Sequence, residues 1–222
     1  MKHPNIIKII CHDIGRHLGC YGVKSVNSNA IDSLAKNGIL FKNSFSTSPG
    51  CSPSRAAIAT GMYPHNTGVL GLAHAHFGWS LDKKINHIAK YFSKNGYTSI
   101  LFGLQHVTYH EKTLGFNKIF PERPADQVLR NITKIIDNKI FKKPFYAEVN
   151  FFEPHRPFDY GGVKPDKSKG VYIPKYIPKN IYSRREFAEM QGAIKKMDDT
   201  VFKIINLLKK KNLYENTVIV FT

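Results

Sequence analysis

Three short apolar runs in this chain each end in polar residues that can carry chemistry. Such nearly continuous apolar runs are typical of strands buried on both faces of a parallel sheet. The carboxyl ends of parallel strands meet at one edge of a sheet, so the polar residues are expected to lie close together there. The runs and their polar ends are Asn5 to Cys11 with His12 and Asp13, Tyr97 to Phe102 with His106, and Phe145 to Phe151 with His155.

Amphipathic helical patterns separate these runs and predict an α/β fold. The alternation favours a three-layer αβα sandwich with a mostly parallel sheet. Residues 159–180, rich in Gly, Pro, Lys and Tyr, are expected to pass over the site as a long excursion. The predicted helices span Asn29–Lys36, the residues from Cys51 to near Gly61, Leu81–Asn95, Pro124–Asn138 and Ser183–Asn212, and further strands are expected at Ile39–Ser46 and Thr217–Thr222.

The motif from Cys51 to Arg55, Cys-Ser-Pro-Ser-Arg, predicts a reactive side chain at the start of a helix. Pro53 suits a first helical turn, and the alanines that follow are good helix formers. Cys51 would then lie where unpaired backbone N–H groups favour an anion, either a thiolate or a bound sulfate or phosphate. Arg55, one turn further on, could hold an oxyanion. For the cysteine alone, a buried structural residue beside a turn is the alternative.

The Cys-x-Pro-Ser-Arg pattern, followed by a small-residue helix and Thr60-Gly61, resembles the motif of the type I sulfatases. The resemblance implies an alkaline-phosphatase-like fold and oxidation of Cys51 to formylglycine (3-oxoalanine) by a sulfatase-maturing enzyme. The segment around Gly71 and the Glu-Pro-His-Arg stretch that ends at Arg156 are most similar to the N-sulfoglucosamine sulfohydrolase branch.

The same resemblance assigns roles to residues at the strand ends. It implies catalytic roles for Cys51, Arg55, His106 and His155. Arg156 would meet an acidic substrate.

A calcium ion would be bound by Asp13, His12 and Cys51. Two positions depart from the family pattern, in which the first strand ends in two aspartates and a lysine precedes the histidine by two residues. His12 replaces the first aspartate, and Leu104 stands in place of the lysine. Histidine is a poor calcium ligand, so this site is expected to be weakened or differently filled.

The activity implied is hydrolysis of a sulfuric ester or sulfamate on a sulfated sugar. A phosphonate monoester or phosphodiester hydrolase with the same cassette is one alternative, and an inactive fragment that binds acidic glycans is another. The resemblance covers residues 1–222 as the N-terminal part of a sulfatase catalytic domain, truncated on its C-terminal side.

Composition limits the partners and the compartment. The chain has 33 Lys and Arg against 16 Asp and Glu, a net charge of +17, which favours acidic partners such as a sulfated polysaccharide. The lysines are spread through helices and no zinc-finger or RNA-binding pattern is found, so a nucleic-acid partner is not expected. No apolar stretch is long enough for a membrane span. Without a recognisable leader, and with three cysteines, the expected location is cytoplasmic, or periplasmic or secreted if a leader is missing.

Overall fold

Strands and helices alternate through the computed structural model, which describes residues 3–74, 76–140 and 144–222. Short 3-10 turns lie at Gly19–Tyr21, Glu111–Leu114 and Tyr214–Asn216. The strands and α-helices, in chain order, are β1 (Asn5–Ile10), α1 (Asn29–Asn37), α2 (Cys51–Thr60), α3 (Pro64–Thr67), α4 (Ile88–Lys94), β2 (Thr98–Gly103), β3 (Lys118–Phe120), α5 (Ala125–Asp137), β4 (Phe145–Asn150), α6 (Ile181–Lys210) and β5 (Thr217–Phe221).

The strands form one sheet in the order β3-β2-β4-β1-β5, and every neighbouring pair is parallel. In strand β1, Ile9 lies opposite Val149 of the central strand β4 on one side and Phe221 of the edge strand β5 on the other. The carboxyl ends of all five strands therefore lie at one edge. The predicted α/β fold with a parallel sheet is confirmed.

Alternation along the central strands directs apolar and polar side chains to opposite faces of the sheet. Ile7 and Ile9 of β1 and Val149 of β4 join the main hydrophobic core, to which helices α1, α5 and α6 also contribute. The opposite face carries Lys8 and Glu148, which are buried toward the side of α2 and α4. This second face leads directly to the strand ends.

Residues 39–46 do not form the predicted strand. They are irregular and mostly exposed, and the side chains of Phe41 and Phe45 are 70% and 88% exposed. A strand needs a neighbour for its backbone hydrogen bonds, and the sheet position beside β1 is occupied by β5. The prediction was wrong because the apolar side chains of this segment line the wall of an open cleft and do not pair in the sheet.

Only the second half of the predicted helix Leu81–Asn95 is helical, as α4 (Ile88–Lys94). The backbone N–H of Leu81 donates to the carbonyl of Val107, and Asp82 forms a local turn by accepting from the N–H of Lys84. Aspartate favours such turns over a helix interior. The helix begins only after His87, whose Nδ1 accepts from the N–H of Ala89 as an N-cap.

Gly103 ends β2 in a conformation that the site requires. Its φ is +82°, and a Cβ there would lie 1.9 Å from the carbonyl oxygen of Asn150. Only glycine tolerates both the positive φ and this approach to β4. The chain can therefore turn directly from β2 into Leu104 and His106.

Candidate active site

Cys51 is the first residue of α2, as the sequence predicted for the helix start. Gly50 precedes it as the N-cap in extended conformation, and Gly61 ends the helix with a φ of +71°. The half-buried Cys51 side chain lies on an open cleft of about 1340 Å³, together with Asp13 and Arg55. The helix N-terminus, a carboxylate and a guanidinium thus border one space.

The thiol of Cys51 is not activated in this position. Burial raises its pKa, although the N–H of Ser52 and the charge of Arg55 act in the opposite direction. The thiolate that the helix N-terminus was expected to favour is therefore disfavoured at neutral pH, and the unmodified cysteine would be a weak nucleophile.

Arg55 joins the ends of three strands beneath the cleft. It is 4% exposed. Its Nη1 donates to the carbonyl of Leu104 at 3.2 Å and to Oδ1 of Asn150 at 3.0 Å, and its Nη2 donates to the carbonyl of Cys11 at 3.3 Å. The sequence predicted a side chain free to hold an oxyanion. In the structure, the hydrogen bonds of the guanidinium instead connect the ends of β1, β2 and β4. Arg55 still lines the cleft and contributes its positive charge there.

The second pair of predicted residues follows β1. His12 is 2% exposed, whereas the side chain of Asp13 is 57% exposed. His155, after β4, lies beside both: its ring centroid is 5.0 Å from that of His12, and its Nε2 is 3.9 Å from Oδ2 of Asp13. The structure therefore brings together residues from two neighbouring strand ends, 142 positions apart for Asp13 and His155 (155 − 13).

His106 faces a partner that the sequence did not predict. Its Nε2 is 3.1 Å from Nδ1 of His74, and the two rings are stacked. Burial and nearby Arg55 lower the pKa of His106 to about 4. His106 is therefore neutral at physiological pH, and exposed His74 connects it to solvent.

Two residues of the site have backbone conformations that are uncommon outside glycine. Asp13 has a φ of +48° and His106 a φ of +58°. Such conformations cost free energy and cluster at functional sites. Both lie immediately after strands, so the strain turns these side chains toward the shared edge.

Arg156 lies at the rim of the site. Its guanidinium is paired with the carboxylate of Glu186 and lies 5.7 Å from the ring centroid of Phe158. The Arg156 side chain is 71% exposed. It can reach an acidic ligand only if that ligand competes with Glu186.

Leu104 contributes its backbone to the site, through the carbonyl that accepts from Arg55. A second cation is nevertheless close. The charge of Arg123 helps to lower the pKa values of both His12 and His106. Arg123 therefore adds to the positive potential at these two histidines.

The donors that the described residues offer near β1 do not by themselves make a calcium site. Among the described residues, His12, Asp13 and His155 form a group whose ligand atoms all lie within 4.8 Å of one another. Calcium takes six to eight oxygen ligands, whereas this group offers one carboxylate and two imidazoles. The cysteine proposed as a further ligand, Cys51, lies on the same cleft as Asp13.

Comparison with known proteins places this geometry in a family. The sulfatase family model matches residues 4–222, and the chain belongs to the sulfatase family of hydrolases. Human N-sulphoglucosamine sulphohydrolase is 26% identical over 249 residues, covering 98% of this chain and 49% of that protein. An ulvan-active sulfatase of Formosa agariphila is 28% identical over 231 residues, covering 100% of this chain and 44% of that protein. The chain thus spans about half the length of these relatives.

Solved structures show the same fold. A sulfatase of glycosaminoglycan metabolism from Bacteroides thetaiotaomicron matches with a TM-score of 0.84 and 20% identity, covering 99% of this chain and 60% of that one. Phosphonate monoester hydrolase of Agrobacterium radiobacter matches with a TM-score of 0.75 and 18% identity, covering 99% and 62%. At these identities the likeness concerns the fold, an α/β sandwich shared by both kinds of hydrolase.

Two further features of the described part of the chain bear on partners and redox state. None of its helices combines the length and apolar character needed to cross a bilayer. Its three cysteines, Cys11, Cys20 and Cys51, are free thiols.

Sequence reasoning missed three residues of this site. His74 lies in a loop without a familiar ligand spacing, and Asn150 is an ordinary strand residue until Arg55 is seen to bond it. Arg123 is one of many basic residues. Only the position of Asn150 at the end of a predicted strand could have drawn attention to it.

Proposed function

We propose that this chain forms the N-terminal part of the active site of a hydrolase of sulfate esters or sulfamates on sulfated sugars. The observation that carries the proposal is the position of Cys51 at the N-terminus of α2, above Arg55 and beside Asp13 on one cleft. Membership of the sulfatase family and the similarity to N-sulphoglucosamine sulphohydrolase support it.

Cys51 would act after conversion to formylglycine by a maturing enzyme. The raised pKa of its thiol disfavours direct attack by the unmodified side chain, which fits a residue that functions after modification. The hydrated aldehyde supplies an oxygen nucleophile for sulfur and a second hydroxyl through which sulfate is later released. Around it, the α2 N-terminus and Arg55 stabilise the charge of the transferring group.

Two histidines are available for proton transfer, and their surroundings differ. His106 contacts exposed His74, so this pair can accept a proton from the nucleophile and return it to the leaving oxygen or nitrogen. His155 faces Asp13 instead, an arrangement that suits the binding of a cation. Arg156 at the rim would attract an acidic sugar in competition with Glu186.

The divalent cation of this family, calcium in the expectation from sequence, would lie near Asp13, His12 and Cys51. A bound cation would supply positive charge to a sulfate oxygen. The imidazole-rich donors described above do not by themselves make a calcium site, so none of the roles proposed for these side chains depends on it.

The test is co-expression with a sulfatase-maturing enzyme, followed by mass spectrometry of the peptide containing Cys51. Hydrolysis of N-sulfated and O-sulfated glucosamine would be measured beside an aryl phosphonate ester. We expect conversion of the thiol to the aldehyde and sulfate release that disappears in Cys51→Ala but not in the matched variant Cys20→Ala.

Hydrolysis of the phosphonate alone would favour the phosphonate hydrolase alternative. Unmodified Cys51 and no turnover, with salt-sensitive binding of a sulfated glycan, would favour the binding module.

A further inference from the structure

The candidate site contains a buried imidazole, that of His12, with no hydrogen-bond partner on either nitrogen within the described part of the chain. His12 is 2% exposed, and neither its Nδ1 nor its Nε2 has a hydrogen-bond partner among residues 3–74, 76–140 and 144–222. Its ring is surrounded by other rings, those of His106, Phe152 and His155. Buried polar groups in folded proteins are normally satisfied, so an orphaned imidazole at a strand end indicates a missing ligand.

The neighbouring donors have the character of a transition-metal site. His12, Asp13 and His155 supply two imidazole nitrogens and one carboxylate, with all ligand atoms within 4.8 Å of one another. Two imidazoles and a carboxylate are a common donor set for zinc and for other first-row metals. Calcium would use the carboxylate and gain little from the imidazoles.

The orientation of His155 also suits a ligand. Its Nδ1–H donates to the backbone carbonyl of Arg156, which leaves the lone pair of Nε2 available 3.9 Å from Oδ2 of Asp13. Histidines that bind metals usually hold their second nitrogen in this way, because the outer hydrogen bond fixes the tautomer and the ring.

The distances require a small adjustment that the structure permits. Metal–donor bonds of about 2.0–2.2 Å keep two donors within about 4.4 Å, so the widest separation here, up to 4.8 Å, must shorten by roughly half an ångström. The Asp13 side chain is 57% exposed, so it has room for this small movement without disturbing the ring of His155.

The local charge argues in the same direction. Arg55 and Arg123 act electrostatically on His12, and Asp13 is the one carboxylate within the group. Among the described residues, this group offers little negative charge to a cation that is bound chiefly by carboxylates. Imidazole lone pairs, by contrast, bind a borderline metal ion without adding negative charge.

We infer that His12, Asp13 and His155 bind a divalent transition-metal ion of the zinc or cobalt type in preference to calcium. The inference deepens the proposed function and rests on it for the role of the ion in hydrolysis. The binding itself can be measured without any turnover. The group supplies three ligands from the described residues, which leaves coordination positions for water, a substrate oxygen or another donor.

The test uses Co²⁺ as a spectroscopic probe of the metal-free 222-residue chain, with Zn²⁺ and Ca²⁺ added as competitors. We expect one equivalent of Co²⁺ to give a visible absorption band that Zn²⁺ removes and that excess Ca²⁺ leaves in place. In His12→Ala and His155→Ala, affinity should fall by more than the about 10–100-fold that loss of an outer hydrogen-bond partner costs. The exposed residue His65 provides a matched control, and His65→Ala should bind like the unmodified chain.

A second pair of variants keeps the test valid if His12→Ala does not fold. Asp13→Asn alters an exposed side chain and His155→Ala a partly buried one, and circular dichroism would confirm the folding of both. His12→Asp should shift the preference toward Ca²⁺, because it replaces a nitrogen donor by oxygens.

Equal Co²⁺ affinity in all variants, or displacement of Co²⁺ by Ca²⁺ at similar concentration, would overturn the inference. Metal binding without sulfate hydrolysis would support the inference while contradicting the proposed function. Hydrolysis supported by Ca²⁺ without Co²⁺ or Zn²⁺ binding would support the proposed function and contradict the inference.

Discussion

Two regions on the same face of the sheet bury polar side chains, and they differ in whether these side chains are paired with each other. In the middle of the sheet, Lys8 Nζ forms an ion pair with Oε2 of Glu148 at 2.8 Å, although without hydrogen-bond geometry. The same carboxylate oxygen accepts from the hydroxyl of Tyr146. A few residues further along the strands, His12 and His106 keep buried nitrogens without partners among the described residues. Pairing makes the first region a part of the fold, whereas the orphaned nitrogens make the second a place for a ligand.

Asn150 connects the two regions. Its Nδ2 donates to Oε1 of Glu148, and its Oδ1 accepts from Arg55 under the cleft. The position of Arg55 therefore depends on a charge network that begins deep in the sheet at Lys8. We expect changes in the first region to reduce stability, and changes in the second to affect ligand binding first.

The largest effect should come from removing the carboxylate of the paired region. Glu148→Ala leaves the ammonium of Lys8 buried without its counter-ion, which costs about 3–5 kcal/mol of folding stability. Chemical denaturation of the variant would measure the loss. The exposed residue Glu215 gives a control, since Glu215→Ala should change stability by about 0.5 kcal/mol or less.

The double variant Lys8→Met with Glu148→Gln should recover much of that loss, because no uncompensated charge stays buried. A single Glu148→Ala variant as stable as the parent would show that the network is not structural.

The pH dependence of stability should come from the buried histidines. Burial lowers the pKa of His87 from 6.5 to about 4, with Glu148 opposing and Lys8 reinforcing the shift. Between these values the unfolded chain binds a proton at His87 that the folded chain does not. The stability contribution is thus complete above pH 6.5 and is lost as the pH falls toward 4.

We expect His87→Asn, which keeps an acceptor for the N–H of Ala89, to reduce this acid-induced loss by about 2–3 kcal/mol. Denaturation at neutral pH and near the lower pKa would measure it. The exposed residue His110 supplies the comparison. If His110→Asn changed the dependence of stability on pH as much as His87→Asn does, the assignment of this dependence to His87 would be contradicted.

Removing the Asn150 side chain, which connects the two regions, should have an intermediate effect on stability. Asn150→Ala leaves Nη1 of Arg55 and Oε1 of Glu148 each without one partner, at a cost of about 1–3 kcal/mol. Because Arg55 also holds carbonyls of Cys11 and Leu104, the fold should persist. Thermal melting would measure the stability, and an unchanged melting temperature would show that the connection is unimportant.

The smallest effect on stability is expected at the rim. The pair of Arg156 and Glu186 is exposed, so Arg156→Ala should change stability by about 0.5 kcal/mol or less. If Arg156 meets the acidic substrate, KM should rise with little change in kcat. A large loss of stability, or a kcat that falls with KM unchanged, would argue against this role.

Much of the fold could be predicted because its strongest sequence signals act locally. The apolar runs of β1, β2 and β4 and the long periodic pattern of α6 needed no knowledge of distant partners. The three-residue strand β3 was missed, since so short a segment is a strand only through its pairing with β2. The segment 39–46 failed for the opposite reason, because its apolar residues found no neighbouring strand.

The site was predictable only where chemistry and strand ends coincide. Asp13, His106 and His155 follow strands, so their convergence could be anticipated from a parallel sheet. The contact of His74 with His106 and the bonds of Arg55 depend on how loops and helices settle on the sheet. No spacing in the sequence specifies these distances.

X-ray absorption at the zinc edge of the chain loaded with one equivalent of Zn²⁺ tests the contrast between the two regions most directly. We expect a first shell of nitrogen and oxygen with the outer scattering of two imidazoles, and loss of one imidazole in His155→Ala. A shell of oxygens alone, or one that stays unchanged from the parent chain in both His12→Ala and His155→Ala, would contradict the claim that the orphaned nitrogens mark a ligand site.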